Sequence, residues 1–507
     1  MIRRRAPRRI AGQARAAVLV LAAASMAHVG SPDTFFAGKA GPYEVRVSVR
    51  LPGVIPGRAQ IAVRLVGMST PKDHRVTVRA GQWNVGLNGA PPPETAAPVP
   101  GDPELYAAEL WFMTASSYQM SVAVDGPSGR GSVLVPVLAL ATAERPMPPW
   151  LGAVLAALGV FLTAGLLTII GSAVRESVLP PGVEPDLVRR RRARIGVTIM
   201  AILAGLALWG GNQWWNAEAS SYSRSVLYRP FASDATVVRQ GDRRTLTMRI
   251  RDARWSGQPN PASRYNTLLP DHGKLMHLFL VREPALDSLA HLHPVARTRE
   301  ALDFDADLGP LPPGRYRVYG DIVHESGYAQ TLVSTVELAD AGGEAGAATD
   351  GDDSWFSGAG TAEAAIAPFD LGDGTRLEWQ RGDEAIDVGV ERDLRFVVRD
   401  ASGAAATVEP YMGMAAHVVI ASRDASVFAH LHPSGSISMA AMQKFAGGAA
   451  ADPHEGHVMP VESGVAIPYA FPKAGPFRIF VQVKRGGQVK TAAFDVDVRG
   501  RESFSPR

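Results

Sequence analysis

Met276-His277-Leu278-Phe279-Leu280-Val281-Arg282, followed by Leu289-Ala290-His291-Leu292-His293-Pro294, is written twice in this chain. The second writing is Ala416-His417-Val418-Val419-Ile420-Ala421-Ser422, followed by Phe428-Ala429-His430-Leu431-His432-Pro433. Downstream, Gly314-Arg315-Tyr316-Arg317-Val318-Tyr319 corresponds to Gly475-Pro476-Phe477-Arg478-Ile479-Phe480. The distance from the first histidine to the His-Leu-His-Pro string differs by one residue between the copies. A shared string with two aligned flanks marks the duplication of one structural unit.

Around the repeat the pattern is one of short alternating runs. Arg244-Thr245-Leu246-Thr247-Met248-Arg249-Ile250 and Asp393-Leu394-Arg395-Phe396-Val397-Val398 lie within the two copies. Tyr43-Glu44-Val45-Arg46-Val47-Ser48-Val49 and Gln60-Ile61-Ala62-Val63-Arg64-Leu65 lie well before them, separated by Leu51-Pro52-Gly53. Period-two alternation broken by proline and glycine predicts antiparallel β-sandwiches. The expected fold is mainly β, with three Ig-like β-sandwich domains at residues 28–149, 215–340 and 367–500. Residues 341–366, rich in Gly, Ala and Asp, read as a flexible acidic linker.

Two further segments are too apolar for a sandwich. Residues 150–174 carry no charge and are long enough to cross about 30 Å of hydrocarbon. Residues 195–214 are similar. Between them, residues 175–194 include Arg189-Arg190-Arg191-Arg192, and a short arginine-rich loop belongs in the cytoplasm. Trp150, Trp214 and Trp215 suit the opposite interface. At the start, Arg3, Arg4, Arg5, Arg8 and Arg9 precede a short apolar run and Ser25-Met26-Ala27. Residues 1–27 therefore read as a signal peptide, with an uncleaved anchor as the alternative. The expectation is a transmembrane hairpin in the cytoplasmic (inner) membrane, with the lipid bilayer as partner and the bulk of the chain extracytoplasmic, in the periplasm.

The net charge is only +3, and its basic clusters flank apolar segments, so nucleic acid is not an expected partner. There are no cysteines, which excludes disulfides, thiolate metal sites and thiol catalysis. No nucleophile elbow, Walker loop or dinucleotide fingerprint is present, and the chain is not expected to be an enzyme.

What remains is histidine. Ten of the twelve lie beyond residue 270. In a strand, residues two apart share a face, so His291 and His293 present paired imidazoles, as do His430 and His432. With His277 or His417 on a neighbouring strand, each copy offers three nitrogens. His272 lies just before His277, and the equivalent position in the second copy is Met412. The expected metal ligands are thus His272, His277, His291, His293, His417, His430, His432 and Met412. Imidazole with thioether and no thiolate suits a copper ion. Zinc or nickel with histidine and a carboxylate such as Asp271 stays open. So does a structural reading, in which strand-end histidines join a hydrogen-bond network. Two lesser candidates are His454, His457 and Met459 in a loop, and an amino-terminal chelate of His28 with His74.

The string from Met276 to Pro294, with Gly314-Arg315-Tyr316-Arg317, resembles a unit of bacterial membrane-anchored envelope proteins. These carry YtkA-like or cupredoxin-like β-sandwich domains, and the resemblance covers roughly half of the chain. It implies an extracytoplasmic compartment and copper as ligand class, but no reaction. The expected function is periplasmic metal buffering, or delivery to another envelope metal-handling protein. The alternative is a non-metal structural or interaction scaffold of the envelope.

Overall fold

The computed structural model describes residues 33–67, 73–180, 182–252, 267–298, 302–340, 350–359, 367–382, 384–446 and 464–500. The expected signal segment, His28 and the His454, His457 and Met459 loop lie outside the described residues.

In Tyr43–Arg50, Tyr43, Val45, Val47 and Val49 turn inward, and Val47 pairs with Val63 of Gly57–Leu65. These strands belong to an eight-stranded antiparallel sheet. Its order is Thr34–Ala40, Tyr43–Arg50, Gly57–Leu65, Asp102–Phe112, Glu94–Val99, Arg75–Gln82, Ser116–Gly126, Gly129–Ala139. The sheet folds over, so Val45 and Val63 from one end share a core with Val76, Val122 and Val135 from the other. His74 is in this unit, edge-on to Tyr43.

Two helices follow, Pro149–Glu176 and Leu187–Ser225. Both are long and apolar enough to cross a membrane, and their apolar side chains are almost all exposed. They meet where Gly171 lies against Val197. The second helix is longer than the expected span: its 39 residues reach about 58 Å at 1.5 Å per residue. It takes in the arginine run expected in a loop, because Asp186 caps the Arg189 amide and arginine is a good helix former. Its far end docks on the first sheet, where the Tyr222 hydroxyl donates to Ile55 O at 3.1 Å.

Each repeat then forms two facing sheets around its own core. In the first, His277–Arg282 lies antiparallel between Ser288–Leu292 and Gly314–His324. In the second, His417–Ser422 lies between Phe428–Leu431 and Gly475–Arg485. The extra residue of the first copy falls in the hairpin turn. The register is unaffected: Phe279 faces His291 as Val419 faces His430.

These central strands are buried on both sides. Leu278 and Leu280 enter the core of the first copy, and Val418 and Ile420 that of the second. The alternate residues Phe279, Val281, Val419 and Ala421 form a further cluster with Leu289, Tyr319, Phe428 and Phe480. The two sheets thus pack face to face, with Tyr319 stacked on Phe428 at 3.8 Å.

The stretch read as a flexible linker departs from that expectation. Ser354–Ser357 pairs with Ser288–Leu292 as an edge strand, Trp355 opposite Ala290. Trp355 and Phe356 supply the apolar surface that the linker composition hides, and Trp355 Nε1 donates to Leu308 O at 2.7 Å.

Phe428 joins two sheets that otherwise belong to separate cores, so Phe428→Ala is expected to cost about 3 kcal/mol. Denaturant unfolding of the detergent-solubilised chain measures this. A loss below about 1 kcal/mol would mean that the two copies do not depend on this contact.

Candidate metal centre

His277 and His417 begin the paired central strands, on the face shared by the two copies. Each follows a tight turn. In Pro270-Asp271-His272-Gly273, Asp271 and Lys274 exchange backbone hydrogen bonds, and His272 has φ +52°. In Pro410-Tyr411-Met412-Gly413, Tyr411 and Met414 do the same, and Met412 has φ +50°. His291 and His430 lie on the adjacent strands. His293 and His432 come just past their ends, where Pro294 and Pro433 have no amide hydrogen to continue the ladder.

The structure brings the imidazoles of both copies to one place. His277, His291 and His293 have ring nitrogens all within 4.8 Å of one another. So do His272, His417 and His432. The second set differs from the expected trio, because His272 comes from the first copy and crosses to the second. His430 stays beside it, 3.1 Å from His417 in nitrogen–nitrogen distance. The clusters touch: His277 and His430 rings are centred 5.4 Å apart, His291 and His417 6.0 Å.

Hydrogen bonds assign the tautomers. His277 donates through Nε2 to Asp271 O at 3.2 Å. His291 donates through Nδ1 to Gln482 Oε1 at 2.9 Å, and the Gln482 amide nitrogen is committed to Ser354 Oγ. His293 donates through Nδ1 to Asp353 Oδ1 at 3.0 Å. Each neutral ring has one N–H, so the remaining nitrogens carry lone pairs. The lone pairs of His277 Nδ1 and His291 Nε2 face each other at 3.2 Å. His293 Nε2 is buried with no hydrogen-bond partner among the described residues.

The second copy repeats the scheme. His417 donates through Nε2 to Tyr411 O and His432 through Nδ1 to Ile437 O, each at 3.3 Å, and His430 Nδ1 lies 3.3 Å from Asp321 Oδ2. His417 Nδ1 then faces His430 Nε2. The Nε2 atoms of His432 and His272 are buried without hydrogen-bond partners among the described residues.

Facing lone pairs repel unless a cation lies between them. Two nitrogens on one ion, each at about 2.0–2.1 Å, stand roughly 3.3 Å apart in tetrahedral geometry. The observed 3.1 and 3.2 Å match that spacing. The residues present therefore fit a metal ion, and carbonyl, carboxylate and amide oxygens hold the ligand rings from behind.

Burial keeps His277, His291, His417, His430 and His432 neutral. It pushes His277, His291, His417 and His430 well below the usual histidine range, and neighbouring imidazoles push in the same direction. His432 is lowered to about 4, again mainly by burial.

Other candidates take different parts. Asp271 caps the helix Met439–Phe445 by accepting from the Ala440 amide at 2.8 Å. The Met276 sulfur lies near Gly320 and Met248 in the first copy's own core. Met412 holds the turn position equivalent to that of His272. Sequence reasoning missed Asp321, Asp353, Tyr411 and Gln482. Only Ser354-Trp355-Phe356-Ser357, an alternating strand inside a stretch read as linker, pointed toward Asp353.

Residues 370–500 match a family model described as a domain of unknown function (DUF8832). Comparison with curated proteins returned no match. Among solved structures, a bacterial ice-binding adhesin is similar at 7% identity and TM-score 0.14, covering 93% of this chain and 100% of that one. The chicken CNTN1 FN1–FN3 domains are similar at 9% identity and TM-score 0.13, covering 89% and 97%. A membrane-anchored protein from Corynebacterium diphtheriae is similar at 9% identity and TM-score 0.14, covering 94% and 97%. Scores of this size carry no functional inference.

The depressed histidines set a pH dependence. In the unfolded chain each takes up a proton near pH 6.5, while the folded sites resist it. Their contribution is complete above about pH 6.5 and lost as pH falls toward the folded value, about 4 for His432. Metal-free protein is therefore expected to lose melting temperature steadily over that window. A scan of melting temperature against pH checks it, and a flat profile would show that these rings are not held neutral by folding.

Proposed function

We propose that this chain is a membrane-anchored, extracytoplasmic metal-binding protein with copper as its ion. It buffers the ion or hands it to another envelope metal-handling protein. One observation carries the reading: the N–H groups of His277, His291 and His293 are spent on protein oxygens, so their buried lone pairs converge, and those of His417 and His432 are spent in the same way. The proposal is of a binding role and not of an enzyme.

Copper is favoured by the donor set. The ligands are imidazoles without thiolate, which suits copper, and Met412 offers a thioether where the other copy has His272. By the equivalence of the two turns, Met412 would stand to the first cluster as His272 stands to the second. Zinc and nickel also accept imidazole and are outcomes of the test.

The membrane reading draws on charge and length. The arginines at residues 189–194 begin the second helix, Trp214 and Trp215 lie farther along it, and Trp150 opens the first. With the arginines in the cytoplasm, both outer ends of the hairpin face the periplasm, and so do all the β-sheets.

The scaffold reading has its own support, since the Phe279, Tyr319 and Phe428 packing joins the copies without an ion. Metal titration separates the two. The full-length chain in detergent is titrated with Cu(I), Cu(II), Zn(II) and Ni(II) against chelators, and bound metal is counted. Each cluster is expected to hold one ion, so His291→Ala with His293→Ala removes one, and His430→Ala with His432→Ala removes the other. Unsubstituted protein that retains none of these ions would leave the scaffold. Copper affinity is expected to hold through about pH 6 and to fall only as pH drops toward the depressed values of the folded rings, about 4 for His432, because only neutral imidazole binds.

A further inference from the structure

The imidazoles lie inside the protein. His277, His291, His293, His417 and His432 are each at most 7% exposed. An ion that reaches them has to pass through protein, and the way in has to stabilise a cation still carrying water.

A cavity of about 190 Å³ adjoins the cluster, at the meeting of the first sheet with both repeats. Asp271, Asp321, Gln330, Thr331, His430 and His432 are among the residues that line it. His277, His291 and His293 do not. Its volume accommodates several waters. Asp321 reaches His430 Nδ1 at 3.3 Å and accepts from the Thr331 hydroxyl. Asp271 Oδ1 takes the Ala440 amide.

Gln330 is the unexplained member of this wall. It is only 4% exposed, and neither its Oε1 nor its Nε2 has a hydrogen-bond partner among the described residues. A buried amide left unpaired on both atoms is costly, and a polar occupant of the cavity relieves that cost.

We propose, resting on the metal reading above, that this cavity is the entry chamber through which a hydrated metal cation reaches the histidine clusters. The carboxylates of Asp271 and Asp321 and the amide oxygen of Gln330 hold the cation while it exchanges water for imidazole. His430 and His432 are the first imidazoles it meets, so the second cluster loads before the first. The ion for the first cluster passes across the His277–His430 contact, where the rings are 5.4 Å apart.

The test is kinetic. Cu(II) is mixed with metal-free full-length protein in a stopped-flow instrument, and loading is followed by quenching of tryptophan fluorescence. Two variants leave every imidazole of the two clusters in place. Ala329 lines the cavity from an exposed position, so Ala329→Trp sets a bulky ring against its solvent side. Gln330→Leu keeps the volume and removes the polar group. Ala329→Trp is expected to slow loading by about tenfold and Gln330→Leu by severalfold, with dissociation constant and stoichiometry unchanged. Circular dichroism of both variants confirms that they fold. Folded variants that load at the unsubstituted rate would overturn the chamber and leave the metal centre standing. Failure of the unsubstituted chain to bind Cu(II) at all would overturn both.

Discussion

Everything in the candidate site depends on two sheets buried on both faces. A sandwich strand ordinarily gives one face to its core and the other to water. Here the outer faces of His277–Arg282 and His417–Ser422 are given to each other through Phe279, Tyr319, Val419 and Phe428. That apolar contact takes the neighbouring histidines out of water. Out of water they resist protonation, and neutral imidazole is the form that binds a transition metal. The packing and the proposed chemistry therefore have one cause.

The pairing is also reciprocal. The turn before His277 sends Asp271 and His272 into the second copy, where they cap a helix and approach His417 and His432. The turn before His417 sends Tyr411 into the first copy, where its hydroxyl donates to Asp352 O and lies 3.0 Å from His291 Nδ1. Gln482 of the second copy orients His291, and Asp321 of the first lies 3.3 Å from His430 Nδ1. Neither copy holds its own histidines alone. Duplication supplied two similar sheets, and divergence at Asp271/Tyr411, His272/Met412 and Asp321/Gln482 made their contact specific.

The first sheet and the helices extend the same assembly. Phe35 enters the core of the second repeat, and the Ala37 amide donates to Ser434 O just beyond the His-Leu-His-Pro string. Ile437 and Ala441, from the second repeat, enter the core of the first sheet. The long helix ends against that sheet at Ile55. A change in any of these parts is felt at the wall of the histidine cavity, because all three β units line it.

The sequence by itself determined the strand-rich character, the duplication, the two long apolar helices and the pairing of histidines two apart. These are local or periodic properties: alternation of side chains, an apolar run of given length, a string written twice. It left open whether the strand of His277 runs beside that of His291, which the pairing of His277–Arg282 with Ser288–Leu292 decides. Only the tertiary structure decided that the two copies face each other and that His272 serves the opposite copy. The same holds for Asp353, which orients His293 from a stretch whose composition reads as linker. The physical reason is that a doubly buried strand and an ordinary core strand share one hydrophobic pattern. Which surface covers the second face is a long-range fact, and no local period records it.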